Sequence, residues 1–569
     1  MRSDALLRIL FPTAAALASL FVVAFQLQLV PFFAHLFVED RSLWPIIFYG
    51  IWSFVIGATL VLLFLQGSVR RQSLPVLAAC TSAMLLALIH PIDGVAKNFF
   101  IAVTFVACIS VLATASAPLA LLRFSATATL LSAVICLLDI LFSHGFTNTV
   151  GRAAGLSINA NVAAAGLLLG AASSFWTVPQ RWRSQFLLIV GTAIFATLSR
   201  STLLAAILIC SGVAADLLWH RIRSPGSHSP IRWVSSGALI LALAGWIGVA
   251  LVSNDRFSVA ARSSFFQIGA LPTALADARE AIANSVRTHS SSQPESAPRR
   301  ESTPLPKTTP RPKTSPQPEA GRPSAQTSGP VAPSSGPAPQ ASATPWPTPS
   351  PTPSDEDARS RTDEIIREIT RRAEREGDIN SISARGLLME RAWLSYRNGP
   401  FFGRGLAAAH ALQPHNTFLL FAVAFGDLGW IVPLAFLGLT AYSVRRVQQL
   451  PLALATFTVM MTSHDLPFTF GLLAPFILGI VGLNAQLHGI RDKPDAVPAI
   501  RYAAAAAPFL FFIGAIATRG VGPSSIAGAP RLLVYFVFCV IALWAAVIWR
   551  WHRELLPRDH VLPGGRGWD

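Results

Sequence analysis

The chain has 569 residues, 52% of them hydrophobic and only 13% charged, against about 25% charged in soluble domains, so most of it is built for a solvent other than water. The formal net charge of +16 falls largely in short loops between apolar runs, which is the positive-inside pattern of a membrane protein and not the footprint of a nucleic-acid binder. Cys80, Cys108, Cys136, Cys210 and Cys539 all lie inside apolar runs and no CxxC pair exists, which argues against a disulfide scaffold, a structural metal and thiol redox chemistry.

Residues 1–8 are short and basic. Residues 9–30 form an apolar run with no Ala-x-Ala cleavage site, and read as an uncleaved first span with its N-terminus inside. Further spans are predicted at 43–66, 74–92, 98–121, 126–144, 160–178, 184–199, 201–219 and 232–252, then at 415–443, 450–464, 467–487, 501–518 and 531–549. That is about 14 spans with both termini inside, and every loop it places inside is basic. The predicted fold class is all-α, a polytopic membrane helix bundle. It divides into an N-terminal bundle (1–252), an extracytoplasmic loop (253–414), a C-terminal bundle (415–549) and a basic tail (550–569).

Arg41, Lys97, Arg519 and Arg531 fall on the outer side as scattered interfacial anchors, whereas Arg152, Arg200 and the Arg-bearing segment before His415 carry positive charge there in Gly- or Ser-marked turns or a helix. Residues 151–161 read GRAAGLSINAN: two glycines allow a folded loop, Arg152 sits in it, and Asn161 is placed to cap the sixth span. Asp139, near the end of the fifth span, is a carboxylate that needs a partner. Leu198-Ser199-Arg200-Ser201 joins the seventh and eighth spans in a hairpin, which puts Arg200 in the headgroup layer. There its planar fork suits phosphate, or it acts as an interfacial anchor.

Residues 293–354 are dominated by Pro, Ser, Thr and Ala, and are expected to be disordered with polyproline II character. Residues 355–376 carry an apolar stripe of Ile365, Ile366, Ile369 and Ala373, and read as helix. The stretch 383–430 is the richest in the chain. A helix bearing Arg385, Trp393 and Tyr396 stops at Asn398-Gly399-Pro400, and Gly403 and Gly405 then allow a tight backbone path. His415-Asn416 heads the next apolar run. Taken alone, these residues also fit a juxtamembrane helix with snorkelling arginines and a capping His. His464-Asp465, at the end of the eleventh span, pairs a titratable ring with a carboxylate that is able to steer a proton or cap a helix.

Taken together these motifs resemble the O-antigen ligase and O-antigen polymerase superfamily of bacterial inner-membrane glycosyltransferases. The shared features are Gly151-Arg152 with Gly155 and a closing Asn161; Ser199-Arg200; Arg385; Pro400-Phe401-Phe402-Gly403-Arg404-Gly405; His415-Asn416; and the Gly426–Gly429 pair. The chain departs from the pattern in Ala160, where the family has Pro, in Ala424, where it usually has Glu, and in Asp427 inside the glycine pair. The resemblance implies a GT-C-like bundle in the bacterial inner membrane. It implies transfer of a glycan from an undecaprenyl-diphosphate carrier to an acceptor hydroxyl, lipid A core or another glycan, on the periplasmic face. It also implies transfer without metal or other cofactor, with membrane lipids and no nucleic acid as partners. On that reading His415 and Arg385 are the catalytic pair, with His415 the base or acceptor-positioning residue. The diphosphate then falls to Arg152, Arg200, Asn161, Asn416, Gly403 and Gly405, with His464 and Asp465 as further candidates. Joining of lipid-linked repeat units by a polymerase, secondary transport, and a scaffold displaying the Pro-rich loop are the competing readings.

Overall fold

The computed structural model describes residues 2–36, 44–141, 151–157, 159–179, 182–200, 202–207, 230–269, 381–444, 449–518 and 531–555. These belong to one compact unit, Met1–Pro272 with Ile365–Asp569. The Pro-rich segment 293–354, the helix expected at 355–376 and the tail beyond 555 lie outside the described residues.

Among the described residues the protein is all-helical. In chain order the helices are α1 (Arg2–Phe21), α2 (Leu29–Leu36), α3 (Trp44–Leu65), α4 (Gly67–Ala87), α5 (Gly94–Ala115), α6 (Pro118–Asp139), α7 (Ala160–Ser174), α8 (Arg183–Ala196), α9 (Pro230–Ser253) and α10 (Asp255–Gly269). The second group is α11 (Ser381–Arg397), α12 (Leu406–Ala411), α13 (Thr417–Phe425), α14 (Ile431–Ser443), α15 (Leu450–Thr462), α16 (Phe470–Leu487), α17 (Val497–Thr518) and α18 (Arg531–Leu555). Seven described helical segments are long and apolar enough to cross a membrane, eight if the pair α9–α10, bent by 106°, is one broken span. Gly50–Leu65, Arg183–Ala196, Leu450–Thr462 and Leu533–Trp549 are shorter apolar helices. This is a multi-pass helical membrane protein.

The expected unbroken first span, 9–30, is not continuous. The α-helix passes into a π turn at Val22–Gln26, and the chain breaks at Gln28, whose φ is +62°. The break is held by long-range polar bonds. Gln26 Nε2 donates to the Ser125 carbonyl and to Thr129 Oγ1, both at 3.0 Å, and Gln26 Oε1 accepts from Ser125 Oγ at 2.9 Å. Phe21 and Phe25 stack beside it, with Phe105 and Phe470 edge-on or tilted against them. A buried amide unsatisfied in such a place costs about 1–3 kcal/mol, which is why these partners fix where the helix breaks.

Small residues set the spacing of the central helices, as expected where lipid gives no hydrophobic drive to helix association. A Cβ on Gly166 would touch Leu472, one on Gly170 would enter Thr129, one on Gly479 would press on Ser173, and one on Gly482 would enter Leu122. Gly166 meets Leu472 and Ser173 meets Gly479, so α7 and α16 advance together and run parallel. The N-terminus of α7, with loop 151–157 before it, therefore lies at the same end of the bundle as the 463–469 loop before α16.

The opposite end is tied by Asp492. Its carboxylate accepts from the first free amides of α6, Leu119 at 2.9 Å and Ala120 at 3.0 Å. An acid at a helix N-terminus satisfies two orphan donors and meets the positive end of the dipole. Burial nevertheless pushes its pKa up, against the lowering by those amides and by Arg123.

Candidate active site

At the α7 end, the loop after α6 turns on Gly151 and Gly155, with φ of +78° and +52°. Asp139 is buried at the foot of this loop, and its Oδ2 accepts from the Ala154 and Gly155 amides, both at 3.0 Å. The partner expected for this carboxylate is thus backbone. Arg152 donates through Nε to the Thr197 carbonyl and through an Nη to Asn161 Oδ1, both at 2.8 Å. The Ala153 amide donates to the Ala196 carbonyl at 3.1 Å. These bonds fasten the Arg152 loop to the turn after α8, where Leu198 is held at φ +52° and Arg200, half-buried, begins the next helix. Arg152, Asn161 and the Arg200 turn, separated in sequence, are therefore one assembly. The expected cap is corrected: Asn159 caps α7, its Oδ1 accepting from the Asn161 amide at 2.9 Å, which leaves the Asn161 side chain to orient Arg152.

The second assembly is built on the glycine turn. α11 covers the predicted helix and ends at Arg397, where Asn398-Gly399-Pro400 breaks it. Arg385 lies on this helix; its side chain is outside the described residues. The turn then closes on α13. The Arg404 amide donates to Val423 and the Gly405 amide to Ala424, both at 2.9 Å, and the Asp427 amide donates to Phe401 at 3.3 Å. Gly403, Gly405 and Gly426 have φ of +77°, +86° and +61°. A Cβ on Gly403 or Gly426 would overlap the facing backbone, and one on Gly429 would overlap the Phe421 carbonyl. The Gly-x-Gly turn and the Gly-x-x-Gly segment form a backbone clasp. The amides of Gly403, Arg404 and Gly405 all donate to carbonyls within it. These glycines shape the turn.

Two side chains lock the clasp from outside the motif. Tyr396 Oη donates to Asp427 Oδ1 at 2.7 Å, and Trp430 Nε1 donates to Tyr396 Oη at 3.3 Å. Asp427 thus ties α11 to the glycine pair. His90, after α4, places Nε2 at 2.7 Å from the Phe402 carbonyl and stacks on Phe425. Its only sequence signal is a His-Pro pair between two spans.

The chain then brings three histidines together. His415 has φ +48° and heads α13, whose cap is Asn416: Oδ1 accepts from Leu419 at 3.1 Å, and Nδ2 lies 3.4 Å from the Met461 carbonyl. Asn416 is thus the residue that caps α13. Thr417 Oγ1 donates to the Ser463 carbonyl at 2.7 Å, which fastens the head of α13 to the 463–469 loop. There the buried His464 ring lies 5.2 Å from His415 and 5.5 Å from His410, centroid to centroid. His464 Nε2 is 3.7 Å from Asp465, and Asp465 is itself held by Ser463. His410, without a signal in the sequence, becomes visible only when α12 folds over Phe468.

Burial pushes the His464 pKa down, with His410 acting in the same direction and Asp465 opposing. His464 is therefore a neutral wedge between two more accessible imidazoles. As pH falls from 6.5 towards the lower folded value, the unfolded chain takes up this proton before the folded one does, so stability drops. Hydrogen exchange across 463–469 is expected to speed up through that window in the wild type and to stay flat in His464→Gln.

No family model, curated protein or solved structure matches the chain.

Proposed function

We propose that the chain is a membrane glycosyltransferase of the O-antigen ligase type, moving an undecaprenyl-diphosphate-linked glycan to an acceptor hydroxyl at the periplasmic face of the bacterial inner membrane. One observation supports this most. Motifs scattered from Arg152 to Asp465 gather into two assemblies at the end of the bundle where α7 and α16 begin: the Arg152 loop tied to the turn after α8, and the cluster of three histidines. That is the inventory such a transfer needs. The leaving diphosphate gains charge, and arginine forks neutralise it bidentately. The acceptor hydroxyl loses its proton to a neutral imidazole, for which His415 is the group best placed. In the step, the acceptor oxygen forms a bond to the anomeric carbon as that carbon's bond to phosphate oxygen breaks. The acceptor proton moves to His415, and the electron pair leaves on the carrier diphosphate. Arg385, on the helix that the glycine clasp ends, supplies the second cation.

A polymerase would use the same groups, with a second lipid-linked glycan as acceptor. The lipid-linked pool of a deletion strain separates the two. The ligase reading predicts long polymer accumulating on the carrier; accumulation of single repeat units would instead identify a polymerase.

A further inference from the structure

The exposed side of the glycine clasp is apolar. Phe401 and Phe402, edge-on to each other at 5.1 Å, are 59% and 50% exposed. Leu88 and Ile92, which flank in sequence the His90 that meets the Phe402 carbonyl, are 55% and 51% exposed. On α11, Trp393 and Leu394 are exposed as well. The Trp393 ring lies 5.5 Å from Tyr396, which bonds Asp427, whose amide in turn bonds the Phe401 carbonyl. These six apolar side chains are therefore gathered around one piece of clasped backbone. An apolar patch of this kind is rarely left bare, and marks a surface that something covers.

Continuity and charge say what covers it. The Gly426–Gly429 pair leads straight into α14, part of a membrane-crossing segment, where Ile431 and Leu434 are exposed. Leu88 follows α4, where Leu85 is exposed. Phe99, near the start of α5, lies against Phe468, just before α16. The connection from α4 to α5 is therefore at the end of the bundle where α16 begins, and the patch continues the lipid-facing surface to that end. Beside it, Arg391, Arg397 and Arg404 are exposed and have no ion-pair partner among the described residues. Glu390 is the opposing charge on α11, and Asp427 is taken by Tyr396. Aromatic rings with arginines beside them, at the end of an apolar span, are what a headgroup layer selects. We propose that this patch docks α11 and the glycine clasp onto the bilayer, with its apolar side chains among the first methylenes and its three arginines on the phosphates of anionic phospholipids. Docking of this kind needs only the membrane fold and is independent of the transfer reaction.

The test uses the full chain in nanodiscs that contain a trace of phosphatidylglycerol or phosphatidylcholine carrying a diazirine beside the headgroup. Peptide mass spectrometry locates the adducts after illumination. Phe64 on the apolar helix α3, 86% exposed, is the positive control. The wild type is expected to carry adducts in 88–92 and 393–402, more from phosphatidylglycerol than from phosphatidylcholine. Replacing Arg391, Arg397 and Arg404 together by Gln is expected to lower the phosphatidylglycerol adducts there by about fivefold or more, the factor that one basic side chain contributes at an anionic surface. Adducts from phosphatidylcholine are expected to stay unchanged in that variant. Phe401→Ser combined with Phe402→Ser is expected to lower adducts from both lipids at the clasp. Its fold is checked by hydrogen-exchange protection of the Arg404 and Gly405 amides, which bond backbone carbonyls and do not need the two rings. Adducts at Phe64 with none in 88–92 or 393–402 overturn the docking surface. Adducts that are equal for the two lipids and indifferent to the arginine variant overturn the anionic headgroup as its partner.

Discussion

His415→Ala is expected to lower the rate of the proposed glycan transfer by about 10²–10⁴, the range that loss of a positioned general base produces, and to leave the protein folded. The second half of this expectation follows from the site. His415 is only half-buried, and its ring meets His464 rather than filling the core. Asn416, the residue that caps α13, is untouched by the substitution. The positive φ of +48° at His415 is a modest strain that Ala shares, so the backbone gains no reason to move. A single-turnover measurement with saturating donor separates the two roles open to the ring. A base lost from the chemical step lowers the rate at saturation, whereas a lost acceptor contact raises the acceptor concentration needed.

Gly426→Ala is expected to abolish the proposed transfer by a different route. Position 426 has φ +61°, and an added Cβ would overlap the Phe401 carbonyl. Strain and overpacking together cost about 2–5 kcal/mol, concentrated where the glycine turn clasps α13. The amides of Arg404, Gly405 and Asp427, all bonded within the clasp, lose hydrogen-exchange protection first. Gly438→Ala is the control. It lies in the middle of α14 with nothing within 4 Å of where a Cβ would stand, and Ala there is neutral or stabilising by about 0.5–1 kcal/mol. Equal protection of the clasp in Gly426→Ala and Gly438→Ala would show that the glycine is not needed for close approach.

Much of this arrangement is legible from local chemistry. The Pro400 break, the glycine turn, the helix carrying Arg385 and Tyr396, and the Gly-rich loop around Arg152 follow from residues whose conformational preferences are strong and short-ranged. The break at Gln28 is not legible. Two neutral glutamines hardly interrupt a hydropathy window, and their reason for being there, Ser125 and Thr129, lies about a hundred residues away. The cap of α7 goes to Asn159 instead of Asn161 because either asparagine suits a cap, and the tie from Arg152 decides between them. His90 and His410 reach the site through tertiary packing, on Phe402 and on Phe468, that no periodicity encodes. Asn416 shows the converse case: a motif residue expected to touch substrate is needed to start a helix.

These particulars alter how the motif residues divide their labour. Gly403, Gly405, Gly426, Asn416, Tyr396 and Asp427 build the frame. Arg152 is a cation whose direction is set, by Asn161 and the Thr197 carbonyl. His415 is left as the motif imidazole beside a neutral, buried neighbour.

The most direct test of the account is glycan transfer by the purified full-length protein in lipid, with lipid-linked donor, an acceptor and EDTA present. The wild type is expected to transfer glycan undiminished by EDTA. Arg385→Lys is expected to lose most of the activity, since a point ammonium does not reproduce the guanidinium fork, and His415→Ala is expected to lose nearly all of it. Full activity in both variants, or transfer that appears only on addition of a divalent metal, would contradict the account.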